Sequence, residues 1–183
     1  MEHQWVFIGL AIMWAFFLVT WTIPSARRRE PHEVLVSFGL GSVISLAILV
    51  YTGTWETRSI TALQIISIPV LVIAAILALG AFHALRSKGK PTDAWETTTA
   101  LVNSGVYRFA RHPMYLGAAL WAVGIALGHI AVHSVVLATA CVALTFLASI
   151  MEDRYNLRKF GEPYAGYMKR VKLVNVRGAT RER

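Results

Sequence analysis

Five apolar blocks, separated by short polar segments, constrain this chain more than any other feature. They cover residues 5–23, 34–51, 60–85, 113–128 and 132–150. A hydrocarbon layer about 30 Å thick is crossed by about 20 apolar residues of helix, and backbone polar groups must be satisfied internally there. The chain is therefore expected to be all-α and polytopic, with about five transmembrane helices. Hydrophobic residues make up 56% of the 183, more than an ordinary soluble domain carries. The first block lacks a basic start and a small-residue cleavage site, so it reads as a retained span. With Cys141 as the single cysteine, an internal disulfide and a cysteine-rich metal site are both excluded.

Local signals predict how the blocks end and meet. Trp5 and Trp21 lie about 24 Å apart on a helix and suit two interfacial anchors, with Pro24 ending the first span. Gly39 and Gly41 permit close helix approach in the second. Pro69 is expected to kink the third, which is long enough to tilt. The fourth block is short and rich in Gly and Ala. Its Gly124 and Gly128 form a GxxxG pair, expected to pack on the fifth block as an antiparallel hairpin and permitting a homo-oligomer. His129 and His133 flank that hairpin turn with no acidic or cysteine partner nearby, so they read as interfacial and no metal is expected. Gly161 should break the last long helix, and Pro163 suits the first turn of another.

Charge sets the expected orientation. The net charge is +8, and the basic residues flank spans instead of forming a nucleic-acid-binding face. With the N-terminus outside, every Lys and Arg except Arg58 falls on the cytosolic side. The trio Arg27, Arg28 and Arg29, the segment 86–112 and the C-terminal region after residue 150 then share that side. No nucleic acid is expected as a partner; membrane lipids are.

Residues 101–117 read LVNSGVYRFARHPMYLG. Ser104-Gly105 is a turn signal, and Gly105 can supply an unusual backbone angle. Arg111 and His112 stand just before Pro113, at a helix entrance where free N–H groups attract anionic groups. Tyr107 and Tyr115 offer aromatic walls. The hairpin returns Glu152 and Asp153 close to His112, where a carboxylate suits a cationic ligand such as a sulfonium or an amine. A well-packed interfacial turn is the bland alternative.

These motifs together resemble the isoprenylcysteine carboxyl methyltransferase family and are similar to the related phospholipid N-methyltransferases. The resemblance covers residues 98–170: the pattern LVxxGxYxxxRHPxY, an acid one hairpin later, and FGEPYAGY. It implies an integral membrane enzyme that uses S-adenosyl-L-methionine on the cytosolic side, with a lipophilic or small-molecule methyl acceptor. By motif position the cofactor pocket would use Thr99, Ala100, Leu101, Val102, Tyr107, His112, Pro113, Met114, Tyr115 and Glu152. Arg111, His112 and Glu152 are the candidates for a catalytic role. Residues 1–85 would then be a three-helix scaffold and residues 86–183 the methyltransferase region. In the eukaryotic prenylcysteine enzymes an arginine four residues before the cofactor glutamate contacts substrate; that position here is Ala148. The competing expectations are a non-catalytic membrane subunit and a reductase-like membrane enzyme, for which no dinucleotide fingerprint is present.

Overall fold

The computed structural model describes residues 3–90 and 98–173 of the chain. Part of the polar connector, and the tail arginines Arg177, Arg181 and Arg183, lie outside the described residues. The architecture is all-α: helices α1 (Gln4–Phe17), α2 (Ile23–Arg27), α3 (Pro31–Tyr51), α4 (Thr61–Lys88), α5 (Pro113–Gly128), α6 (Val132–Phe160) and α7 (Glu162–Arg170). Among the described residues there is no strand; an isolated bridge joins Arg58 and Ile130. Gln4–Arg27, α3, α4 and α6 are each long and apolar enough to cross a membrane, and α5 is a shorter apolar helix. The protein is a polytopic membrane protein.

The first span does not stop at Pro24. A π-helical stretch, Leu18–Thr22, joins α1 to α2, and Pro24 sits in the first turn of α2. Proline removes an i→i−4 hydrogen bond, and a change of register just before it is a way to continue the helix. Trp21 is tied to the protein at its polar edge. Its indole Nε1 donates to Glu33 Oε2 at 2.9 Å, across the turn into α3. Trp5, by contrast, is exposed.

Helices α5 and α6 pack as the expected hairpin through Ala122 and Cys141, but the glycines of α5 face α4. A Cβ on Gly117 would stand 3.0 Å from the Ala74 carbonyl oxygen and 3.2 Å from the Ala78 nitrogen. Gly124 and Gly128 lie against the side chains of Leu71 and Ser67. The GxxxG pair is thus spent inside the chain. The hairpin partner α6 packs most extensively on α3 instead, where Gly39 admits Thr145 and Leu144. The core of the bundle joins Val43, Leu46 and Val50 of α3 with Ala122 and Ile125 of α5 and Ala138 and Cys141 of α6. Helix α4 runs unbroken through Pro69 and leaves Ile65, Ile68, Val72, Ile76 and Leu79 exposed, as suits a lipid-facing surface.

The helices alternate between two ends. At one, Phe7, Trp55 and His133 meet, and Tyr51 stands edge-on to His129 at 5.8 Å. Arg58 is the one described basic residue there. The other end gathers the α2–α3 turn, the end of α4, the entrance of α5, the end of α6 and α7.

Candidate functional site

The stretch ahead of α5 is moulded onto the end of α4. Gly89 leaves no room for a Cβ beside Thr98, and its carbonyl accepts the N–H groups of Thr99 at 2.9 Å and Ala100 at 3.0 Å. Lys88 Nζ donates to Ser104 Oγ at 2.8 Å. Gly105, at φ +63°, then opens a 3₁₀ turn (Gly105–Arg108), as the Ser-Gly pair predicts. Val106 of that turn fills the notch left by Gly80, and Tyr107 packs with Val102, Ala81 and Ala84. Helix α7 closes the stretch from outside: the Tyr167 hydroxyl donates to the Tyr107 carbonyl at 2.7 Å. Gly161, at φ +60°, makes the sharp reversal that brings α7 back. Burial pushes the Tyr164 and Tyr167 hydroxyls well above their ordinary pKa, so both remain donors.

A charged junction joins the α5 entrance to the end of α6. His112 Nε2 lies 2.8 Å from Asp153 Oδ1, and His112 Nδ1 lies 3.3 Å from Glu152 Oε2. Arg111 Nη1 lies 3.0 Å from Asp153 Oδ2, and the Tyr164 hydroxyl donates to Asp153 Oδ1 at 2.7 Å. Asn156 Nδ2 donates to Glu152 Oε1 at 3.2 Å. The imidazole stacks on the Tyr115 ring, with centroids 5.5 Å apart and an 8° interplanar angle. Burial alone would lower the His112 pKa. The Glu152 charge and the hydrogen bond to Asp153 outweigh it and raise the value to about 9. With a carboxylate on each ring nitrogen, both nitrogens are donors and the ring is cationic.

That pKa gives the fold a pH dependence. A histidine raised from 6.5 to about 9 binds its proton more tightly folded than unfolded. Its contribution is complete below the unfolded value and is lost as pH rises through the folded one, on the order of 3 kcal/mol. The unfolding temperature in detergent is therefore expected to fall between about pH 6.5 and about pH 9. His112→Asn should flatten that decline; an equally steep decline in the variant would show that another group drives it.

Beside the junction is a cavity of about 680 Å³, within the usual range for small-molecule sites. Of the ten residues predicted to hold a cofactor, Ala100, Leu101, Val102, Tyr107, His112, Met114, Tyr115 and Glu152 line it. Two do not. Thr99 is exposed and donates its hydroxyl to the Lys90 carbonyl at 2.8 Å, while Pro113 is buried at the start of α5. Arg111 also lines the cavity, paired with Asp153.

The other wall comes from the supposed scaffold. Trp21, His32 and Glu33 line the cavity from the N-terminal helices, and Tyr155, Asn156, Tyr164 and Tyr167 line it from α6 and α7. Sequence reasoning left out the first group because polar residues at the entry of an apolar span resemble interfacial anchors. The adjacent pair His32-Glu33, followed by an uninterrupted apolar run, was the available signal. Its apolar depth reaches Leu40, Ala118 and Thr145 between α3, α5 and α6.

A sequence model of the family described as phospholipid methyltransferase (PEMT) matches residues 62–163, more than half of the chain. No curated protein and no solved structure gives a significant match. The matched region begins in α4, spans the moulded stretch, the charged junction and the hairpin, and ends just inside α7. On that match, and in keeping with the motifs and the all-helical membrane architecture, the chain belongs to the phospholipid methyltransferase family of membrane methyltransferases.

Proposed function

We propose that the cavity binds S-adenosyl-L-methionine and that the protein transfers its methyl group to a lipophilic acceptor drawn from the bilayer. The observation that carries this reading is the convergence of eight predicted pocket residues, from both sides of the hairpin, on one cavity. Family membership supports methyl transfer and a lipid substrate. The methyl donor, consumed as a co-substrate, supplies an electrophilic methyl group on a sulfonium.

The residues present fit such a ligand. Ala100, Leu101, Val102, Tyr107, Met114 and Tyr115 would hold its body, and the Glu152 carboxylate would stand opposite its cationic groups. His112 and Arg111 act as positioning residues: their charges lock Asp153 and orient Glu152. A ring held protonated by two carboxylates is not a base near neutral pH, so His112 takes no proton from the acceptor. Residues 86–183 thus form most of the donor side, and residues 1–85 contribute a cavity wall as well as a scaffold. The distribution of basic residues supports a cytosolic site and C-terminus with the N-terminus outside.

The test is methyl transfer by protein reconstituted in vesicles of total lipid extract, with methyl-labelled S-adenosylmethionine added outside. Label entering the lipid phase is the expected result. Label confined to the aqueous phase, from a folded protein at every pH tried, would end the reading.

A further inference from the structure

Several titratable groups line the cavity outside the predicted donor pocket, and one of them is a buried imidazole. His32, the second residue of α3, is 5% exposed and lines the cavity across from the charged junction. Its ring lies tilted against Tyr155, with centroids 5.0 Å apart. Its Nε2 lies 3.7 Å from Glu33 Oε1, beyond hydrogen-bond distance. No hydrogen bond is made by this imidazole among the described residues, whereas both nitrogens of His112 are engaged. The charged and titratable groups facing it are Glu30 and Glu33 from its own end of α3, Glu152, Tyr155 and Arg158 from α6, and His112 ahead of α5.

We propose that His32 is the catalytic base of an acceptor subsite on this wall, and that it deprotonates the amine that takes the methyl group. The proposal rests on the methyl-transfer reading above. An ammonium suits a recess flanked by the rings of Trp21 and Tyr155 and by carboxylates. The Nε1 bond to Glu33 fixes the Trp21 ring at that wall. An ammonium has no lone pair, so transfer to nitrogen requires a proton acceptor first. His32 takes one N–H proton. The freed lone pair forms the N–C bond to the donor methyl, the C–S bond breaks, and its electron pair stays on sulfur as the neutral sulfide leaves. The product is a secondary ammonium, and the proton on His32 passes to water before the next turnover.

The experiment uses full-length protein and a short-chain phospholipid with an ethanolamine headgroup. His32→Gln is expected to bind S-adenosylhomocysteine within about twofold of wild type, while kcat falls about 100-fold, the usual contribution of a general base. The remaining activity should climb about tenfold per pH unit, as solution deprotonation of the amine replaces the lost base. A pH-independent loss, or an unchanged kcat, would refute the assignment while leaving the donor site intact. Absence of homologue binding in the wild type would instead remove the methyl-transfer reading and this proposal with it. A second readout needs neither activity nor the variant. In wild-type protein saturated with S-adenosylhomocysteine, affinity for the amine lipid should weaken as pH falls from about 6.5 to about 5, because an imidazolium repels the ammonium. Constant affinity across that range would count against His32.

Discussion

Asp153→Ala is expected to lower stability by about 3–5 kcal/mol, the cost of removing one partner from a buried ion-paired network. Asp153 is 7% exposed. It accepts hydrogen bonds from Tyr164 and His112 and pairs with Arg111. Without it, two cations and a phenol lose their common acceptor, and Arg111 Nε is already without a partner. The moulded stretch, α5, α6 and α7 all meet at this carboxylate, so the loss should spread to each. Thermal unfolding in detergent reads the effect directly. Asp153→Asn, which keeps an acceptor oxygen for Tyr164, should recover part of it. A variant as stable as the parent would show that the junction is a surface feature.

Glu152→Ala is expected to act on binding and not on folding. Its side chain is 26% exposed against 10% for Asp153, and it turns toward the cavity. Affinity for S-adenosylhomocysteine should drop at least about 100-fold, equivalent to about 2.7 kcal/mol, with the unfolding temperature changed far less than by Asp153→Ala. Calorimetric titration of the two variants side by side separates the roles. Equal affinity in Glu152→Ala and wild type would remove Glu152 from the donor pocket. Two adjacent acids thus stand apart: one ties helices together, the other faces the cavity.

The contrast shows what a sequence of this kind displays and what it hides. The spans were legible because each is a local property: twenty apolar residues announce a membrane helix wherever it packs. The Ser104-Gly105 turn and the Gly161 break were legible for the same reason, since their backbone angles follow from residue type. The partner of α5 was not. A GxxxG pair specifies close approach but not the helix approached, and Leu71 and Ser67 of α4 fill the space beside Gly124 and Gly128. Pro24 misled because proline inside a helix depends on the register before it, and the π-helical stretch supplied that register. At the site, one wall of the cavity was readable as a compact motif with an acid one hairpin later. The opposite wall was not, because Trp21, His32 and Glu33 come from helices distant in sequence whose assembly alone brings them to His112 and Glu152. Asp153 stood beside Glu152 in plain view; its different task became visible only through Tyr164 and Arg111.

Donor binding in this cavity is tested most directly by calorimetric titration of the detergent-purified wild-type protein, with lipid restored, against S-adenosylhomocysteine. Saturable binding at one site per chain is expected, abolished in Glu152→Ala and strongly weakened in Tyr107→Ala. No binding by a protein shown to be folded, or binding indifferent to both substitutions, would contradict donor binding in this cavity.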